Sequence, residues 1–184
     1  MTREQALGLL REHIKNQNLI NHSLAAEALM RGLARKFKEN EEKWGLAGLL
    51  HDLDWEETKD TPEQHSFETF EILKNTDIDP EVAEAIRVHN HIHGIEPQTL
   101  LAKALYSAEE ITGLVTASAL VRPDKKLAGV DRDSVLKKFK SKSFAAGVNR
   151  DIIMLVEPWL GMKLSELVDI CLSEMKGISN ELGL

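Results

Sequence analysis

Apolar residues recur at intervals of three and four along nearly the whole chain, and no segment keeps the two-residue alternation of a half-buried strand. Val82, Ala85, Ile86 and His89 form one such stripe, and the residues from Leu164 through Ile178 form another. A chain patterned in this way buries its stripes helix against helix, so the expected fold class is all-α. Helix starts are also written into it. Thr2 with Gln5 has the spacing of a capping box, Thr61 with Pro62 and Gln64 repeats it with proline at the first helical position, and Asp79-Pro80-Glu81 opens a third helix. These signals outline roughly eight or nine helices around a single core. Unbroken helices are expected over 62–75, 98–121 and 150–159.

No repeat, low-complexity tract or flexible linker divides the 184 residues, which suit one domain. No apolar run approaches the roughly 18 residues of a membrane span. The stretch "MTREQALGLLREHIK" lacks the basic-then-apolar order of a signal peptide, so the expected location is cytoplasmic. The single cysteine, Cys171, lies on the stripe Leu164, Leu167, Val168, Leu172, Met175 and reads as a buried thiol. A net charge of −7 speaks against nucleic-acid polymers and acidic membranes as partners, but the charge is uneven. From Arg122 to Arg150 nine basic residues face three acids, a local +6 that leaves −13 for the rest.

Seven histidines separate by their helical positions. His22 shares a face with Ala25, Ala26, Leu29 and Leu33, so it points inward. His51 and Asp52 close the run Leu46-Ala47-Gly48-Leu49-Leu50, where a chain that is only folding would place another leucine. His89 ends the Val82 stripe. Glu109 and Glu110 are, with Lys103, the only charged groups expected in the helix over 98–121, and Glu109 shares a face with Leu101, Ala102, Leu105 and Thr112. His91 is rotated by about 200° from His89 and cannot share its face. His91 and His93 read as a solvated helix end, with a supporting place beside the site, or the replacement of His89, as the alternative. An isolated buried charge costs on the order of several kcal/mol, so an interior that gathers imidazoles and carboxylates must pair them or give them a cation. A divalent metal ion satisfies all of them together, since imidazole nitrogen and carboxylate oxygen both suit first-row divalent ions.

His22 in "NHSLAAEALM", then "LLHDLD", "HSFETFEIL", "RVHNH" and "LYSAEEITG", resemble in order and spacing the HD superfamily of metal-dependent phosphohydrolases. Its pattern is a histidine, an adjacent His-Asp pair and a distant aspartate, all on helices. The likeness spans roughly residues 18–121. It implies one HD-type helical domain over 1–184, with 18–121 as the metal-binding core and 122–184 as a C-terminal helical extension packed on it. The remainder, including "KKFKSKSFAAGVNR", resembles bacterial members known only as predicted HD hydrolases.

By position, the resemblance implies that His22, His51 and Asp52 bind metal. In the two-metal branch His65 and His89 join them and Asp52 bridges the ions. Glu109 stands where the family usually has aspartate, one methylene shorter. The HD-x-G-K variant of the motif is not matched, because "HDLDW" places Asp54 and Trp55 there. The implied activity is hydrolysis of a small phosphate ester or nucleotide by a metal-activated water, with one or two divalent ions (Fe, Mn, Co, Ni, Zn or Mg). Asp52 or Asp54 would accept the proton. Arg122, Lys125 and Lys126 are the expected phosphate-binding rim, with Lys137, Lys140 and Lys142 weaker candidates. An HD-fold di-iron oxygenase and a non-catalytic metal- or ligand-binding module are the alternatives.

Overall fold

A computed structural model describes all 184 residues. It is entirely helical, with thirteen α-helices. α1 (Arg3–His13) begins at the capping box, with Thr2 and Gln5 exchanging side-chain and backbone bonds. α2 (Gln17–Phe37) is the longest element, capped by Asn16 and ended by Lys38 in the left-handed conformation at φ 59°. α3 (Glu41–Leu50) starts at Asn40, carries Glu41 and Glu42 in its first turn, and buries every residue from Trp44 to Leu50. Two short helices follow, α4 (Trp55–Thr58) and α5 (Phe67–Leu73). α6 (Pro80–His89) is capped by Asp79 with proline in its first turn, as the sequence indicates.

α7 (Leu100–Ala108) and α8 (Ile111–Leu120) replace the single helix expected over 98–121. The break falls at Glu109–Glu110, whose backbones keep right-handed helical angles. The Glu109 carbonyl there accepts from Thr112 N–H, a three-residue closure in place of the four-residue one. The helix expected over 62–75 is ordered as α5 only from Phe67. That over 150–159 divides into α10 (Arg150–Ile153) and α11 (Val156–Leu160). α9 (Arg132–Phe139) precedes them, and α12 (Leu164–Gly177) and α13 (Ser179–Leu182) close the fold.

One apolar cluster of 43 buried residues runs from Ala6 to Leu182, with residues from both sides of position 121 in the same core. Cys171 is fully buried in it, and burial pushes its thiol pKa up. α2 is the central strut. α3 lies along one side of it, and α12 approaches the other at Gly32, where an added Cβ would fall 2.9 Å from Ile170 Cγ2. The α2–α3 contact is closer still. A Cβ built on Gly48 would sit 2.5 Å from the Ala26 carbonyl oxygen, so backbone meets backbone there and no side chain fits between.

This contact fixes the distance between the helix that carries His22 and the helix that ends in His51. Gly48→Ala is therefore expected to destabilise the protein by about 1–3 kcal/mol through overpacking. Gly8→Ala on exposed α1 meets nothing within 4 Å and should stabilise by roughly 0.5–1 kcal/mol. Thermal melting of both variants checks the pair, and equal melting temperatures would refute the close-contact reading.

Candidate metal centre

Four imidazoles surround the carboxylate of Asp52. Its Oδ1 lies 3.3 Å from His51 Nε2, 3.4 Å from His65 Nε2 and 3.5 Å from His89 Nε2, and its Oδ2 lies 3.5 Å from His22 Nε2. His22 and His51 bring their Nε2 atoms within 3.2 Å of each other. Glu109 Oε2 lies 3.4 Å from His22 Nε2 and 3.9 Å from His51 Nε2. α2 supplies His22, the turn after α3 supplies His51 and Asp52, the turn before α5 supplies His65, the last residue of α6 is His89, and the α7–α8 break supplies Glu109.

The outer ring nitrogens decide what these contacts are. His51 Nδ1 donates to the Gly48 carbonyl at 2.8 Å and His89 Nδ1 to the Ile86 carbonyl at 2.7 Å, each one turn back on its own helix. His65 Nδ1 meets Asp54 Oδ1 at 2.7 Å. With the proton held at Nδ1, each Nε2 presents a lone pair toward the acceptor oxygens of Asp52. Lone pairs gathered face to face repel unless a cation or a proton sits among them. Two ligands each about 2.0–2.2 Å from one ion, at tetrahedral or octahedral angles, lie roughly 3–3.5 Å apart, which is the spacing seen here. His22, His51 and Asp52 form one group able to hold an ion, and Asp52, His65 and His89 form a second. Glu109 Oε2 adds a fourth donor to the first group. The extra methylene of Glu109 is accommodated, because the helix break sets its carboxylate at ligand-edge distance from both histidines.

Asp54 is buried and does not line the cavity. Besides holding His65, its Oδ2 accepts the N–H groups of Ser66 at 2.7 Å and Thr69 at 3.0 Å. The expected role of Asp54 as proton acceptor gives way to that of a positioning residue. It fixes the orientation of His65 and anchors the start of α5, and both its oxygens are engaged. Asp52, also expected as a proton acceptor, has both oxygens turned to imidazoles. His93 packs outside the cluster, stacked on Phe67 with ring centroids 3.8 Å apart and its Nε2 donating to the His65 carbonyl at 2.8 Å. His91 is exposed at the cavity rim.

A cavity of about 330 Å³ opens over the cluster, its lining including the apolar Leu19, Trp55 and Ile92 and also Glu110, Gly113 and Gly147. Arg122, Lys125 and Lys126 are not among its walls. α8 carries them away by roughly 15 Å at its 1.5 Å rise per residue. Arg122 instead pairs with Asp124 at 3.0 Å, and Lys126 N–H caps the same carboxylate. Glu110 does face the cavity and accepts Asn149 N–H at 3.2 Å. Burial, then the charge of Glu109, raise its pKa to about 7. Glu109 and Glu110 stood out in the sequence as acids in an apolar helix, whereas nothing local marked the approach of Gly147 from a distant loop.

Burial disfavours charge on every group of the cluster, and in the absence of an ion the groups divide the resulting strain. Burial lowers the pKa of His51 to about 4, against the pull of Asp52. At His22 burial is outweighed by the Glu109 hydrogen bond and the charges of Asp52, Glu109 and Glu110, which raise it to about 9. Asp52 and Glu109 resist burial and stay ionised, Asp52 chiefly through His51 and Glu109 chiefly through its bond to His22. At His89, too, burial is outweighed by the Asp52 hydrogen bond and charge, so protons on His22 and His89 stand in for the cation.

The signs follow from proton linkage, taking about 6.5 for an unfolded histidine. Below that value, down to about 4, the unfolded chain binds a proton at His51 that the folded chain refuses, so stability falls as pH drops. Above it, up to about 9, the folded chain keeps a proton at His22 that the unfolded chain has released, so stability falls as pH rises. Glu110, whose pKa of about 7 lies above its ordinary value of about 4.5, keeps a proton in the folded chain between those values and offsets His51 there. The melting temperature of chelator-treated protein should therefore stay level from about pH 4.5 to 6.5 and fall as pH rises toward 9. Metal uptake at pH 7 should release at least one proton, detected as a buffer-dependent heat in calorimetry. A metal-free optimum above pH 8 with no proton release would remove His22 from this role.

No curated protein and no solved structure matches the chain. A family model described as HD domain matches residues 19–114, just over half of the sequence, a span that holds every residue of the cluster. The chain belongs to the HD-domain family.

Proposed function

We propose that the protein is a metal-dependent phosphohydrolase that acts on a small phosphate ester or nucleotide with two divalent ions. The observation that carries this reading is the shared carboxylate of Asp52, set between His22 and His51 on one side and His65 and His89 on the other. Bound divalent ions supply Lewis acidity toward a phosphoryl oxygen and lower the pKa of water. The protein's residues hold the donors ready. The carbonyls of Gly48 and Ile86 and the carboxylate of Asp54 lock three imidazoles in one tautomer and aim them at Asp52. The cavity beside them admits a small substrate, and Leu19, Trp55 and Ile92 are the apolar residues of its lining.

Metal analysis of protein purified without chelator should show up to two ions per chain. His65→Ala and His89→Ala should each lose about one, and Asp52→Asn should lose both. Asp54→Asn should weaken the ion held by His65 by about 10–100-fold while leaving the other bound. Glu109→Asp withdraws a carboxylate that reaches its neighbours and should lower metal content.

A screen of phosphate monoesters, diesters and nucleotides with Mn²⁺, Fe²⁺, Co²⁺, Ni²⁺ and Mg²⁺ should then show phosphate release that chelator and Asp52→Asn abolish. Metal-replete protein that hydrolyses none of them would overturn the reading. Oxygen consumption by the ferrous protein in their place would mark oxidation as the reaction.

A further inference from the structure

The basic segment that did not reach the cavity through Arg122 reaches it through its other end. The loop between α9 and α10 folds back so that Gly147 stands in the cavity wall, and Val148 Cγ2 lies 3.3 Å from the position a Cβ would take on Gly113. Beyond Gly147 the cavity continues into a groove of about 430 Å³, and His91, Glu110 and Gly147 border both. Lys142, Ala146, Asn149 and Arg150 line the groove, with Asp151 at its edge.

Arg150 builds this loop. Its half-buried guanidinium donates to the carbonyls of Phe139, Ser141, Phe144, Ala145 and Val148, so the loop closes around a positive centre that meets no carboxylate. Turning five carbonyls inward turns N–H groups outward. Those of Ala145, Ala146 and Gly147 bond to no protein acceptor, and Ala145 takes the left-handed conformation at φ 45°. A left-handed residue within a turn is the backbone condition for successive N–H groups to converge on an anion. Lys142 is exposed beside them and pairs with no acid. Of the two acids that border the groove, Glu110 is engaged by Asn149 N–H at 3.2 Å and Asp151 is exposed on α10. Leu19, Trp55 and Ile92 are the apolar residues of the cavity lining.

We propose that the loop from Lys142 to Arg150 is a second anion subsite, built from Lys142 and the N–H groups of Ala145, Ala146 and Gly147 beside the metal centre. The substrate class that fits both sites carries two anionic groups, one to react at the centre and a second phosphate to anchor on the loop. This substrate assignment rests on the phosphohydrolase reading, whereas the anion subsite stands on the loop alone.

The test is titration of the full-length ¹⁵N-labelled protein with inorganic phosphate, once after chelation and once loaded with zinc. The amide signals of Ala145, Ala146 and Gly147 should move in both states, and more strongly at low salt. Lys142→Glu, an exposed change that leaves the core intact, should weaken the response by about tenfold, as loss of one charge-assisted contact does. Asp151→Asn should strengthen it. Amides that stay still, or an affinity unchanged by Lys142→Glu, would overturn the subsite.

In the active enzyme Lys142→Glu should raise KM for a bisphosphate while leaving KM for the matching monophosphate near its original value. An equal change for both would overturn the two-anion assignment. A protein inactive toward every phosphate ester whose amides still respond to phosphate would sink the hydrolase reading and spare the subsite.

Discussion

A single buried carboxylate organises this molecule. Asp52 lies among four imidazoles and near a second carboxylate, in an interior where an unpaired charge costs on the order of several kcal/mol. Every element that reaches it is bent to serve that arrangement. α3 ends where His51 and Asp52 must turn in, α6 ends on His89, and the α7–α8 helix breaks where Glu109 must project. A chain selected only for stability would fill this volume with leucine, as it does one turn earlier on α3. The cluster is tolerable because a proton on His22 or a divalent ion neutralises it, and the two compete for the same lone pair.

Backbone contacts, more than side-chain packing, set the accuracy of the cluster. Gly48 lets α3 touch α2 at Ala26, and the Gly48 carbonyl then receives His51 Nδ1, so one residue fixes both the separation of the helices and the tautomer of a ligand. Asn90 works in a similar way, since its amide donates to the carbonyls of Pro62 and His65 and ties the end of α6 to the turn that carries His65. These bonds are made by the protein alone. They give the preorganisation that a metal site needs, because the donors need not be gathered at the moment of binding.

The all-helical fold and the inward faces of His22, His89 and Glu109 were legible because a period of 3.6 residues states which side chains share a face. The pair His51-Asp52 was legible as polar residues in an apolar run. Three features were not. The break at Glu109–Glu110 has no glycine or proline and keeps helical angles on both residues, so no local signal marks it. The role of Asp54 depends on Ser66 and Thr69, twelve and fifteen residues away, and spacing of that kind has no sequence period. The phosphate rim was placed on Arg122 because it follows the Glu109 helix in the chain, and a helix of ten residues converts that nearness into a separation. Lys142 is farther along the chain and closer to the cavity, since the loop held by Arg150 returns it.

The two halves of the cluster are unequal, and this bears on the chemistry. Glu109 lies beside His22 and His51 and could join Asp52 there as a fourth donor, whereas Asp52, His65 and His89 are three on the other side. Structural sites fill their coordination from the protein, and catalytic ones leave a position open. The three-donor side is backed by Asp54 through His65 and lies next to Trp55, whose ring meets the edge of His65 at 4.8 Å in the cavity wall. An ion held there would have the fewer protein ligands, and so the greater need of a ligand from outside. Asp52 belongs to both groups, so ions held at the two positions would share its carboxylate. Glu110 and Gly147 border both the cavity and the groove beyond it, so the groove is a route by which an anionic group can reach the three-donor side.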